Sequence, residues 1–449
     1  MPSTLAVLPC CRAVAICLPL ALVACGASPP PPAAASSPAA AVVVADGWRA
    51  DLAHDSDEGV WYAKVDKVVA AHGANEVVVT DDAGRLTVLT VYSGQWTAHS
   101  AVGDGQWLAP TRAADVDPRV PGAELYAAGK GGSLFRVTLR PQPFGKFTVE
   151  AREVAHAPGE EFHAVVAGDF APGGQAELLL FGITGAVYAA LPDGESAFAL
   201  RRVASVNGRV RDVAIAPAAA GEPPVLYGAS RSGELLALRH APDGLAVEVA
   251  LREDCGLGRV ALAPGRGDVV YATRDDGVLV RGERAADGSW RRAAIFAGEQ
   301  GLRGVAAGRF FADGREAVAV YGYDRTVHLV SRPPGGAFAA EALLRAPQKG
   351  HWLAVGELDG RNGTDELVAT GFDGEVFVLA RAAGYGLPGA ALPPHLAAPI
   401  PARSITRRAA RGGARPRAAS SARRRRRSAG CAGPCSRSCR SACASAGCR

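Results

Sequence analysis

A single methionine and very little lysine stand against abundant alanine, arginine, glycine and proline in this chain of 449 residues. That bias follows GC-rich coding, so alanine or arginine content alone carries no structural argument. No 3.6-residue amphipathic pattern recurs, which removes helical bundles and helical solenoids from consideration. There is no G-x-S-x-G elbow, no H-E-x-x-H and no phosphate-binding loop. None of the nine histidines is spaced as a metal-ligand pair. Cysteine is scarce where it would matter. Cys10, Cys11 and Cys17 lie in the leader, Cys25 just after it, and five more in the C-terminal tail, leaving Cys255 alone in the body. No disulfide framework holds the fold.

The two ends differ from the body. Arg12 is the only charged side chain in the first 45 residues, and the apolar run Ala13 to Ala24 is 12 residues long. A membrane span needs roughly 20, so the run reads as the core of a cleaved signal peptide covering 1–24. It ends in Leu22-Val23-Ala24-Cys25-Gly26, which resembles the lipobox of bacterial lipoproteins and implies lipidation of Cys25; the plainer reading is a signal peptide with a chance cysteine. Residues 25–45, rich in Pro, Ser and Ala, read as a flexible tether. The expectation is a protein exported to the bacterial cell envelope and held to the membrane through its lipid alone. At the other end, residues 382–449 contain no acidic group. The stretch 403–449 holds 14 of the 49 basic residues, a run of arginines at Arg423 to Arg427, and Cys431, Cys435, Cys439, Cys443 and Cys448. Nucleic-acid binding, a zinc site and a disordered or out-of-frame tail compete for it. The C-x₃-C spacings lack the second unit or histidine that zinc sites use, and an exported protein meets no nucleic acid, so a disordered tail is expected. Without 403–449 the body carries 35 basic against 44 acidic residues, so the positive net charge belongs to the tail.

Between the ends one unit repeats seven times: an apolar strand, a glycine-centred turn and an alternating strand. Examples are EVVVTDDAGRLTVLT from Glu76, ELLLFGITGAVYAAL from Glu177 and ELVATGFDGEVFVLAR from Glu366. The turns centre on Gly84, Gly132, Gly185, Gly233, Gly277, Arg325 and Gly374, at intervals of 48, 53, 48, 44, 48 and 49 residues. A short apolar strand precedes most of these hairpins, and a more polar one follows the first six. Four strands per repeat of this length make a propeller blade. The seventh repeat lacks its fourth strand, and residues 47–54, GWRADLAH, look like the missing piece. The reading is therefore all-β: a seven-bladed β-propeller over 46–381, closed by its N-terminal strand, with disordered termini. Separate sandwich domains are the alternative, but no linker interrupts the series.

GDFAPGGQAELLLFGITG from Gly168 and GELDGRNGTDELVATGFDG from Gly356 resemble FG-GAP or VCBS-type repeats of exported bacterial and integrin-like propellers. That resemblance implies calcium loops of the form D-x-D-x-D-G-x-x-D, in which alternating oxygens suit a hard cation. Only the seventh repeat comes near, with Glu357, Asp359, Asn362 and Asp365. The competing reading is that these acids cap tight turns. No other cofactor is expected. The tripeptide Arg266-Gly267-Asp268 reads as an accident of composition.

Stacking the repeats aligns Asp66, Thr111, His163, Arg211, Gly258, Arg303 and His351 at the starts of first strands, where a propeller rings the mouth of its channel. Arg112, Arg209, Arg259 and Trp352 lie beside them. Basic and aromatic groups at one mouth of an acidic body fit an anionic or carbohydrate ligand; pairing with acids such as Glu161 and Asp212 is the plainer alternative. Two function classes stay open: a non-enzymatic, monomeric module binding a ligand or an envelope protein, and a propeller enzyme (lyase, hydrolase or quinoprotein-like) working in the funnel. The absence of paired carboxylates or a nucleophile at the ring favours binding.

Overall fold

A computed structural model describes residues 42–386 apart from 70–71, 103–107, 121, 143–145, 171–175, 195–196, 219–221 and 362. The leader, Cys25 and the tail beyond 386 lie outside the described residues. Every regular element among them is a β-strand. Seven antiparallel sheets follow one another along the chain, the first five with their four strands in sequence order from the channel outward and the last two each completed at the outer edge by an N-terminal strand. The inner strands are Val60–Asp66, Leu108–Pro110, Phe162–Gly168, Val210–Ile215, Leu257–Leu262, Leu302–Ala307 and Gly350–Gly356.

The second strands are apolar runs because both faces are covered by neighbouring blades. Leu125–Gly129 and Val269–Arg274 are buried at every position. The outer strands meet water and show it: Trp290–Ala297 contains no buried residue. Apolar contacts cross between blades rather than filling a common centre. One cluster joins Phe181 and Leu179 of blade three to Leu236 and Leu226 of blade four. Another joins Tyr271 and Leu279 of blade five to Val318 and Val330 of blade six.

The ring closes as the sequence predicts. Trp48–Asp55 pairs antiparallel with Glu375–Arg381 as the fourth strand of blade seven, from Trp48↔Arg381 to Asp55↔Glu375. Trp48 lies under the Arg381 guanidinium, 4.6 Å from it, and against Phe310 of blade six. The tether expected over 25–45 ends earlier than residue 45. Val43–Val44 adds a fifth strand to the edge of blade six, paired with Arg345 and Leu344.

Each hairpin turn is locked by the chain leaving its own blade. The carbonyl of Gly185 accepts the Val206 amide, and that of Gly277 the Gly298 amide. A β-carbon on Gly277, whose φ is +95°, would stand 2.3 Å from the Glu299 carbonyl oxygen. Glycine is therefore required twice over there, by backbone angle and by contact. Blade six does without it: Arg325 takes the left-handed conformation at φ 64°, which costs an L-residue about 1–2 kcal/mol. Arg325→Gly should raise stability by up to about 1 kcal/mol after allowing for the looser unfolded chain. Urea unfolding checks this, and a lower midpoint would contradict it.

A glutamate opening the second strand braces the loop before it. Glu76 Oε2 accepts the Val68 and Val69 amides at 2.8 and 2.9 Å. Glu124 Oε2 accepts those of Val116 and Asp117, and Glu366 Oε2 accepts that of Leu358 at 2.6 Å. The amides stand eight and seven residues upstream each time.

Candidate functional site

The channel mouth is built by one backbone irregularity repeated around the ring. In six blades the inner strand slips against its neighbour at its first residues: between Val60 and Tyr62, Phe162 and Ala164, Val210 and Asp212, Leu257 and Val260, Leu302 and Gly304, and Gly350 and Trp352. A bulge re-aims the side chain it carries. The bulged residues are Trp61, His163, Arg211, Arg303 and His351, with Gly258 and Arg259 sharing the wider slip of blade five. Blade two pairs from Leu108 to Pro110 without a slip. The alignment by sequence is therefore corrected in two blades. Trp61, not Asp66, holds the ring position of blade one, and Asp66 sits at the far end of that strand. Thr111 lies past the end of its strand. Arg112 follows it and lines a cavity at the other end of the channel.

Arg211 and Arg303 meet on one shared partner, and His163 and His351 both lie within the field of Arg259. Arg211 Nη1 donates to Asp275 Oδ1 at 2.8 Å and to the Leu257 carbonyl at 2.9 Å. Arg303 Nη1 donates to the same Asp275 oxygen. Burial pushes the Asp275 carboxyl up, but Arg211 and Arg303 outweigh it and hold it below the usual range. Arg209 Nη1 donates to His163 Nε2 at 2.8 Å. Burial, then Arg209 and its neighbouring guanidiniums, lowers the His163 pKa to about 2. His351 Nδ1 donates to the Trp61 carbonyl at 2.8 Å, and burial next to Arg259 takes it well below its ordinary value. The two histidines are neutral, so they add hydrogen-bonding shape but no charge to the ring.

The charge comes from five arginines. Of the five, Arg209, Arg211, Arg231, Arg259 and Arg303, only Arg211 and Arg303 form a salt bridge among the described residues, and both form it with Asp275. Arg209 is pushed down to about 10, by burial and then by Arg211 and Arg231. The Nε atoms of Arg209 and Arg259 are buried without a partner. Arg259 lies 4.4 Å over the ring of Trp352, which also packs on Tyr62 at 4.6 Å. Trp352 thus bridges blades five, seven and one across the channel. Beside it, Trp61, His351, Phe372 and Tyr323 form an edge-to-face chain with centroids 4.5, 5.0 and 5.7 Å apart.

A second ring escaped the sequence reading. At the position two places before the turn centre, Asp82, Arg231, Asp275, Tyr323 and Phe372 meet residues of the first ring. Asp275 neutralises, Tyr323 lies 5.3 Å from the Arg303 guanidinium, and Asp82 accepts the Trp61 indole N–H. A fixed offset from the turn glycines would have found them.

The calcium-like loop of blade seven gathers Glu357 and Asp359 with Glu366, not with Asp365. Asp365 is taken by Arg309, whose amide and Nη2 donate to its two oxygens. Asp359 accepts the Arg361 and Gly386 amides, and Glu357 those of Asp359 and Gly360. Backbone amides thus use both oxygens of Asp359 and one each of Glu357 and Glu366, while Glu366 Oε1 is buried without a partner. Asn362 lies outside the described residues. The Arg-Gly-Asp tripeptide is closed on itself: Arg266 forks onto Asp268 at 3.0 and 2.6 Å.

No protein-family model matches the chain, and no curated protein sequence does. Solved structures do. The crystal structure of BBS1N in complex with ARL6DN is similar at a TM-score of 0.53 and 11% identity, covering 75% of this chain and 98% of that one. The WD40 β-propeller domain of Doa1 is similar at 0.49 and 14%, covering 76% and 97%. At such identities the likeness is one of fold. The chain is a seven-bladed β-propeller.

Proposed function

We propose that the protein is a non-enzymatic binding module that takes an anionic ligand at its arginine-lined mouth, exported and lipid-anchored at the cell envelope. The observation that carries the reading is the excess of five convergent arginines over the two carboxylates of the mouth, Asp275 and Asp82. Two of their Nε groups are buried without a partner, and an unpaired polar group of that kind costs stability unless a ligand meets it. The aromatic chain beside the arginines offers a face for sugar or other flat groups. Leu22 to Gly26 and the Pro-rich stretch after it support lipidation of Cys25, and the repeats resembling FG-GAP or VCBS units support an exported setting.

A sulfated oligosaccharide is a suitable probe. Arg211→Ala with Arg303→Ala should abolish its binding, and affinity in the unaltered protein should fall as salt rises. Arg231→Glu, at an exposed position of the same rim, should weaken binding without touching the buried network. Binding that ignores salt and survives both changes would refute the assignment. Mass spectrometry of membrane fractions tests Cys25 separately.

A further inference from the structure

Beyond Trp352 the channel widens into a cavity of about 1150 Å³ that runs to the far ends of the inner strands. Its walls are aliphatic by register. At the level of Lys64 the other blades carry Thr111, Val166, Ala214, Ala261, Ala306 and Ala354. One level further out, Arg112 stands among Val65, Ala167, Ile215, Leu262, Ala307 and Val355. Two cations from adjacent blades thus interrupt two otherwise apolar rings.

Neither cation forms a salt bridge among the described residues, although the Asp212 carboxylate acts on Lys64 from beyond contact distance. Lys64 Nζ makes no hydrogen bond or ion pair among the described residues, its one close partner being the Trp352 face at 5.4 Å. Arg112 is exposed to the cavity and is likewise unpaired. The acids deep in the cavity are already committed. Asp212 accepts the Val213 and Val260 amides on its two oxygens at 2.9 and 3.0 Å. Asp66 accepts those of Lys67 and Ala113 at 2.9 and 2.6 Å. The other two lining acids, Asp169 and Glu222, lie beyond the strand ends. Burial, outweighing Asp212, lowers the Lys64 pKa, as expected of an ammonium without a partner.

We propose that this cavity is a second binding site, for an amphiphilic monocarboxylate whose apolar body lies along the aliphatic rings and whose head is held between Lys64 and Arg112. The site does not depend on the mouth, from which Trp352 and Arg259 separate it. A pocket with apolar walls and a few convergent polar groups is the usual form of a small-molecule site, and a charge-assisted contact to a half-buried ammonium is among the stronger hydrogen bonds.

Calorimetric titration with decanoate tests this on the intact protein, with decan-1-ol and acetate as controls for the body without the head and the head without the body. Decanoate should bind, and both controls should bind at least about tenfold more weakly. Lys64→Met should weaken decanoate by about tenfold or more while keeping both the melting temperature and the binding of the sulfated oligosaccharide. Should Lys64→Met fold poorly, Arg112→Leu at its exposed position carries the same test. Decanol binding as tightly as decanoate, no heat with decanoate, or affinity unchanged in both variants would overturn the proposal.

Discussion

A chain beginning at Val60 should lose its single cooperative unfolding transition and associate through the bared edge of Glu375–Arg381. Removal of Trp48–Asp55 takes away a full ladder from Trp48↔Arg381 to Asp55↔Glu375 and uncovers buried Trp48 contacts to blade six. It also unlocks the last hairpin turn, because the Ser56 amide donates to the Gly374 carbonyl. An open, apolar strand edge is a template for intermolecular pairing. Blade seven would then meet blade one through the inner contacts alone, such as His351 to the Trp61 carbonyl and Trp352 on Tyr62, so the loss falls on closure as well as on one sheet. Circular dichroism melting with light scattering checks the outcome; a shortened chain that melts like the full one would refute the closure. A chain beginning at Gly47 loses Val43–Val44, buried Val42 and the Ala45 amide bond to the Leu343 carbonyl, and should melt lower than the intact protein but still in one transition.

The second large effect concerns Glu366. Its side chain is fully buried, Oε1 has no partner, and burial together with Asp359 and Glu357 raises its pKa from 4.5 to about 8. The folded protein therefore holds a proton that the unfolded chain releases above about pH 4.5. The unfolded state then binds fewer protons, so stability falls as pH rises through this window and levels off above the folded value. Each unit of the gap is worth about 1.4 kcal/mol, so the expected loss between pH 5 and pH 8 is several kcal/mol. Glu366→Gln keeps an oxygen for the Leu358 amide and offers an N–H to the neighbouring acids. It should flatten the slope and stabilise the protein at pH 8. Urea unfolding across that range decides the matter, and an unchanged slope in the variant would show that another group is responsible.

The turn glycines and the strand GWRADLAH made the blades and their closure legible, because a required backbone angle and a two-residue period both leave marks in sequence. The bulges left none. A slipped residue such as Arg211 or Arg303 has no compositional signature, and blade two lacks the slip altogether, so a uniform alignment set Asp66 and Thr111 in a ring they do not join. His163 and His351 were placed correctly but counted as basic, since burial, which neutralises them, is a property of the packed blades. Asp275 and Tyr323 lie within the repeats at a fixed offset from the turn centres, and their place at the mouth follows from the packed blades rather than from residue type. The acids of the blade-seven loop show the opposite failure: a metal-like spacing that backbone amides and Arg309 absorb.

The N-terminal strands also set how the ring would meet a pull from the chain upstream of residue 42. Force arriving there reaches the two pairs of Val43–Val44 first, on the rim of blade six, before it loads the longer ladder that closes blade seven. The short strand can peel away and re-form while the ring stays shut. Two pairs against seven set the order of loss: tension would open the short strand before it reached the pairing that keeps the ring closed.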